Sequence, residues 1–110
     1  MVQRVFPGGG MITASIKLHG RHEKRTEILQ TLRSLRDELS REKKCGQVNV
    51  YQNVDDEDIF FLVEDWPNEE ELDEYLSSRL FKILLGVKPI LQDPLEIKLL
   101  TEVKKIVPEK

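Results

Sequence analysis

One cysteine, Cys45, stands in 110 residues, so no internal disulfide can form and a reducing, cytoplasmic setting is expected. Cys45 closes a helical pattern, the wrong end of a helix dipole for a reactive thiolate. Two histidines, His19 and His22, leave no metal-ligand spacing, and no metal is expected. No apolar run approaches the ~20 residues that span a bilayer. The N-terminus "MVQRVFPGGG" lacks the apolar core of a signal peptide. Basic excess is missing too. Seventeen Lys and Arg against 20 Asp and Glu leave a net charge of −3, which argues against a nucleic-acid partner. Aromatics are few, 6%, and the single tryptophan, Trp66, falls where an apolar strand meets a proline.

What is present fits one folded domain. Hydrophobic residues at 39% and charged residues at 34% are ordinary globular usage. Pro7-Gly8-Gly9-Gly10 reads as a flexible breaker. Residues 1–10 are therefore expected to be a flexible extension, with Met11 as the natural start. The domain should span 11–105 and a tail 106–110.

"MITASIKLHG" alternates Ile12, Ala14, Ile16 and Leu18 against Thr13, Ser15 and Lys17, a half-buried strand. In the next 26 residues Ile28, Leu32, Leu35 and Leu39 recur at helical steps. Lys43 and Lys44 suit the last turn, and Gly46 is the expected stop. "QVNVYQNV" is a second strand, with Val48 and Val50 opposite Asn49, Tyr51 and Asn53. The acidic run Asp55 to Asp58 lacks calcium-loop spacing and reads as a hairpin turn. "IFFLVEDW" is a third strand, apolar on both faces. Pro67 ends it, Asn68 is a good helix cap, and Glu71 three residues on completes a capping-box pattern. Leu72, Leu76, Leu80, Ile83, Leu84 and Val87 continue one stripe, with a break near Ser77-Ser78 and a stop at Pro89. "LEIKLLTEV" is a fourth strand, Ile97, Leu99 and Val103 against Glu96, Lys98 and Glu102.

The class is α+β: a ferredoxin-like βαββαβ order with an antiparallel sheet. Two helices cover one sheet face, yet the third strand is apolar on both. An open apolar face needs a cover. The simplest is a second copy, so a homodimer with sheets packed face to face is expected.

"LVEDWPNEEELDEYLSSRLFKILL", together with "CGQVNVYQN" and "MITASIKL", resembles the antibiotic biosynthesis monooxygenase family over residues 11 to about 103. The resemblance implies a dimeric α+β barrel. It also implies an enzyme that oxidises a small phenolic or quinol-type aromatic with dioxygen and needs no metal, flavin or haem. The alternative on the same fold is a non-catalytic small-molecule-binding or regulatory dimer. Relatives often carry a histidine where this chain has Tyr75. Haem-degrading relatives pair it with an asparagine on the first strand, which is missing here, so haem degradation is not expected.

The resemblance places Trp66, Tyr75 and Glu64 as catalytic candidates. Trp66 is either a pocket wall or a core plug. Glu64 shares its face and is either a general base with a raised pKa or a buried, paired structural carboxylate. Tyr75 is a poor base but can hydrogen-bond an oxyanion. Tyr51, Asn49, Phe60, Leu62, Arg79 and Phe81 are the substrate-binding candidates. Arg79 either holds an anion or forms a surface ion pair.

Overall fold

The computed structural model describes residues 11–101 and 106–108. Strand β1 (Ile12–His19) buries every second side chain, Ile12, Ala14, Ile16 and Leu18, as its alternation requires. A 3-10 turn (His22–Lys24) leads into α1 (Arg25–Glu42), whose stripe Ile28, Leu32, Leu35 and Leu39 is buried. The expected stop at Gly46 is wrong, and Lys43 and Lys44 lie beyond the last turn. Lys43 takes left-handed backbone, φ 59°, and ends α1. Gly46 instead donates its N–H to the Asp65 carbonyl at 2.7 Å and starts the run into β2 (Val48–Gln52).

The acidic run is a hairpin turn. Asn53 Oδ1 accepts from the N–H groups of Asp55 and Asp56, and Asp56 Oδ1 from that of Asp58. These local bonds turn the chain into β3 (Ile59–Trp66). After Pro67, Asn68 Oδ1 accepts from the Glu71 N–H at 2.9 Å and starts α2 (Glu69–Leu76). Ser77 caps the end of α2, and Ser78 starts α3 (Arg79–Leu85). The Ser78 hydroxyl donates to the Tyr75 carbonyl and accepts from the Phe81 N–H.

That break shifts the helical phase, and the single stripe does not survive it. Leu72, Leu80, Leu84 and Val87 are buried, but Ile83 is 43% exposed, while Tyr75 and Phe81 are buried. Pro89 is not the stop either: α3 closes at Gly86, and Pro89 lies inside a 3-10 turn (Lys88–Ile90). Strand β4 (Glu96–Thr101) follows. Glu102 and Val103 lie outside the described residues, as do residues 1–10 and the domain end at 105. Residues 106 and 107, in the expected tail, are exposed.

The sheet order is β2-β3-β1-β4, antiparallel at every step, in a ferredoxin-like arrangement. One face carries Ile16, Leu18, Phe60 and Leu62 under the helices, all fully buried. On the other face Phe61 and Val63 are half-buried, and Tyr51 and Leu100 are about half exposed. No described helix is long and apolar enough to cross a membrane.

Candidate functional site

Alternation along β3 sends Phe60, Leu62, Glu64 and Trp66 toward the helices. Glu64 is therefore a carboxylate in an apolar row, between Ala14 and Val48 on the neighbouring strands, and it is fully buried. Such a group needs partners. Two donors serve it. The Trp66 indole N–H reaches Oε1 at 3.2 Å, and the Tyr75 hydroxyl reaches Oε2 at 2.6 Å. The first lies two residues on along the strand; the second comes from the last turn of α2. Trp66 and Tyr75 stack, ring centroids 4.7 Å apart at 25°, and Phe81 meets Tyr75 edge-on at 5.4 Å.

Burial dominates the electrostatics. It pushes the Glu64 carboxyl up from 4.5 to about 7, against the two hydrogen bonds that hold it down. Burial, and then the Glu64 charge, pushes the Tyr75 hydroxyl well above its ordinary value, so Tyr75 stays a donor. Cys45 is buried beside them. Desolvation, then Glu64, pushes its thiol up to about 12, and the S–H faces the Asp65 and Gln47 carbonyls. It is an unreactive packing group.

The catalytic candidates Glu64, Trp66 and Tyr75 thus form one hydrogen-bonded unit, with Phe81 against it. Phe60 and Leu62 lie fully buried further along the same row. Asn49 and Tyr51 pair with Val63 and Phe61, so they point to the opposite face of the sheet and do not join the unit. Arg79 opens α3 and is exposed.

Two cavities adjoin this region. A small cleft of about 60 Å³ lies against Trp66 and Tyr75, walled by Leu39, Ser78 and Leu80 and by the charged Glu42, Lys44, Glu71 and Glu74. Since one water takes ≈ 30 Å³, it holds about two waters and no aromatic ring. A groove of about 460 Å³ runs between α1 and α3 over Leu35, Leu80 and Ile83, with Arg79 on its wall. Leu80 borders both spaces; Glu64 borders neither. Leu35, Leu80 and Ile83 were not among the sequence candidates. The Ser-Ser break was the available signal, because the phase shift it causes leaves Ile83 uncovered beside the gap between the helices.

The histidines are remote. His19 pairs with Ile59, at the far end of β3 from Trp66, about 23 Å away by strand rise. His19 Nδ1 contacts Asp93 at 2.6 Å, and His22 contacts Asp58 at 3.2 Å. Both tie loops together. No group of three or more His, Cys, Asp or Glu fit to hold a metal occurs among the described residues.

Residues 11–83, from β1 into α3, match the family model "Antibiotic biosynthesis monooxygenase". Solved structures share the fold. A conserved protein from Methanosarcina mazei is 27% identical, TM-score 0.75, over 82% of this chain and 90% of its own. A protein from Mycobacterium tuberculosis is 17% identical, TM-score 0.79, over 89% and 100%. A candidate antibiotic biosynthesis monooxygenase from Deinococcus radiodurans is 17% identical, TM-score 0.78, over 90% and 99%. No functionally curated protein matches the sequence.

Proposed function

The chain belongs to the antibiotic biosynthesis monooxygenase family, and we propose that it oxidises a small phenolic or quinol-type aromatic with dioxygen. The observation that carries this reading is the sealed Glu64 carboxyl, raised to about 7 and bonded to Tyr75 and Trp66. A group poised near neutral pH is suited to proton abstraction. Glu64 borders neither of the two cavities, so it acts through Tyr75. The substrate hydroxyl gives its proton to the Tyr75 oxygen as Tyr75 gives its own to Glu64. The deprotonated substrate then supplies the electrons, and no resident cofactor is required. For a quinol, one oxygen atom of dioxygen enters the ring, the other leaves as water, and a hydroxyquinone results.

The working form in this reading is a homodimer with the open sheet faces packed together, the dimeric α+β barrel. Tyr51, Phe61 and Val63 lie on the face that would be covered. The unpaired Cys45 suits a cytoplasmic setting.

A second reading, a non-catalytic small-molecule-binding or regulatory dimer, is favoured by one observation: the cleft at Trp66 is only about 60 Å³. An oxygen electrode separates the two. Uptake above autoxidation on adding a naphthohydroquinone or polycyclic phenol, reduced in Tyr75→Phe, is the expected result. Saturable binding without uptake replaces the enzyme by the binding module.

A further inference from the structure

The groove between α1 and α3 is large enough to hold a ring. At about 460 Å³ it falls in the usual range for small-molecule sites. Its floor is apolar. Leu35 and Leu80 are buried, and Ile83 is a large aliphatic side chain left 43% exposed. Such a floor takes the face of an aromatic ring.

The charges on its walls are not equivalent. Glu27 and Glu38 are both engaged, Glu27 with Lys24 at 3.2 Å and Glu38 with Arg41. Arg79 is the cation on the groove wall, and it makes no ion pair or side-chain hydrogen bond with any described residue. A guanidinium with no partner among the described residues, beside an apolar floor, is a fork for a carboxylate, which it meets with two parallel N–H donors. Arg79 is followed at once by Leu80, the residue that borders both the groove and the cleft at Trp66 and Tyr75.

We infer that the ligand of this site is an aromatic hydroxy acid, whose carboxylate is received by Arg79 and whose ring lies on Leu80 and Ile83. This rests on the proposed oxidation reading, with the phenolic end directed toward Leu80, the residue that the groove shares with the space beside Tyr75. Arg79 here sets specificity and takes no part in the chemistry.

The test uses two matched probes, 6-hydroxy-2-naphthoate and 2-naphthol, titrated into the ¹⁵N-labelled full chain and followed by amide NMR. The carboxylated probe should bind tighter by roughly threefold or more, about what an exposed ion pair contributes. Its shifts should centre on α1 and α3. Arg79→Ala should abolish the preference and leave 2-naphthol binding unchanged, with Arg79→Lys retaining part of it. Ile83→Glu should weaken both probes. Arg79 and Ile83 are exposed, so these variants keep the fold. Equal affinities, a preference that survives Arg79→Ala, shifts centred on the open sheet face, or no saturable shift below about 1 mM overturns the assignment. Dioxygen uptake is measured in parallel. Arg79-dependent binding without uptake overturns the oxidation reading alone. Uptake with Arg79-independent binding overturns this inference alone.

Discussion

The Tyr75 hydroxyl donates a hydrogen bond to Glu64 Oε2 across 2.6 Å, joining α2 to the sheet at a buried carboxylate. A buried carboxylate that loses a donor keeps the desolvation cost and loses the compensation. Tyr75→Phe should therefore cost about 2 kcal/mol of stability, the usual size for a hydrogen bond to a charged group. The loss should be larger at pH 8, where Glu64 is ionised, than at pH 5. Urea denaturation at the two pH values checks this. An equal loss at both would mean that the ring's packing, and not its hydroxyl, is what matters.

Glu64 also gives the fold a pH dependence of definite sign. Its carboxyl titrates near 4.5 when exposed and at about 7 in the fold. The folded state thus binds the proton more tightly than the unfolded chain. Its stabilising contribution is complete below 4.5 and is lost as the pH rises through about 7. The full shift corresponds to something on the order of 3 kcal/mol. Glu64→Gln keeps an acceptor for the indole and removes the charge. The stability of the variant relative to the natural protein should rise between pH 5 and pH 8. A constant difference across that range would show that Glu64 does not change charge there.

Trp66 reports the same event optically. It is the single tryptophan, 2% exposed, and its N–H donates to Glu64. Its emission should titrate with a midpoint near that of Glu64, about 7, and should be flat with pH in Glu64→Gln. Iodide should quench it poorly in the folded protein. Strong iodide quenching would mean that the strand end is open to water.

Much of this arrangement was legible in the sequence, for a simple reason. Strands that bury one face repeat every second residue, so Ile12 to Leu18 announced themselves, and α1 did so through Ile28, Leu32, Leu35 and Leu39. The site was legible only as a set of residue types. β3 is apolar on both faces, so its own pattern does not say which side meets the helices. Asn49 and Tyr51 were grouped with the site as side chains projecting from the neighbouring strand, and strand register sends them to the other side. The exchange of Ile83 for Tyr75 and Phe81 was hidden as well. It depends on how far the Ser77-Ser78 break rotates α3, which no periodicity within either helix records.

The end of α1 carries a local strain that can be relieved. Lys43 holds φ 59°, a conformation that costs a side-chain-bearing residue about 1 kcal/mol and glycine nothing. Lys43 is exposed, and its side chain contributes little by packing. Lys43→Gly should raise stability by roughly 0.5–1 kcal/mol, after the entropy that glycine adds to the unfolded chain. Thermal unfolding measures it. A decrease would mean that the helix stops elsewhere, with Gly46 the next position to test.

The open sheet face decides what Asn49 and Tyr51 are for. Tyr51 stands opposite Phe61, and Asn49 opposite Val63, on the side no described helix covers. Tyr51 is 53% exposed there. If a second copy covers this face, Phe61→Glu sets two like charges into a symmetric, dehydrated contact. The natural protein should then run as a dimer by light scattering, and Phe61→Glu as a monomer with an unchanged circular dichroism spectrum. Tyr51→Ala and Asn49→Ala should weaken assembly and leave ligand affinity per protomer intact. A natural protein that is monomeric at micromolar concentration would leave this face without its proposed cover. Loss of ligand binding in Asn49→Ala with assembly unchanged would bring that residue back to the site, through a route across the sheet that the register does not offer.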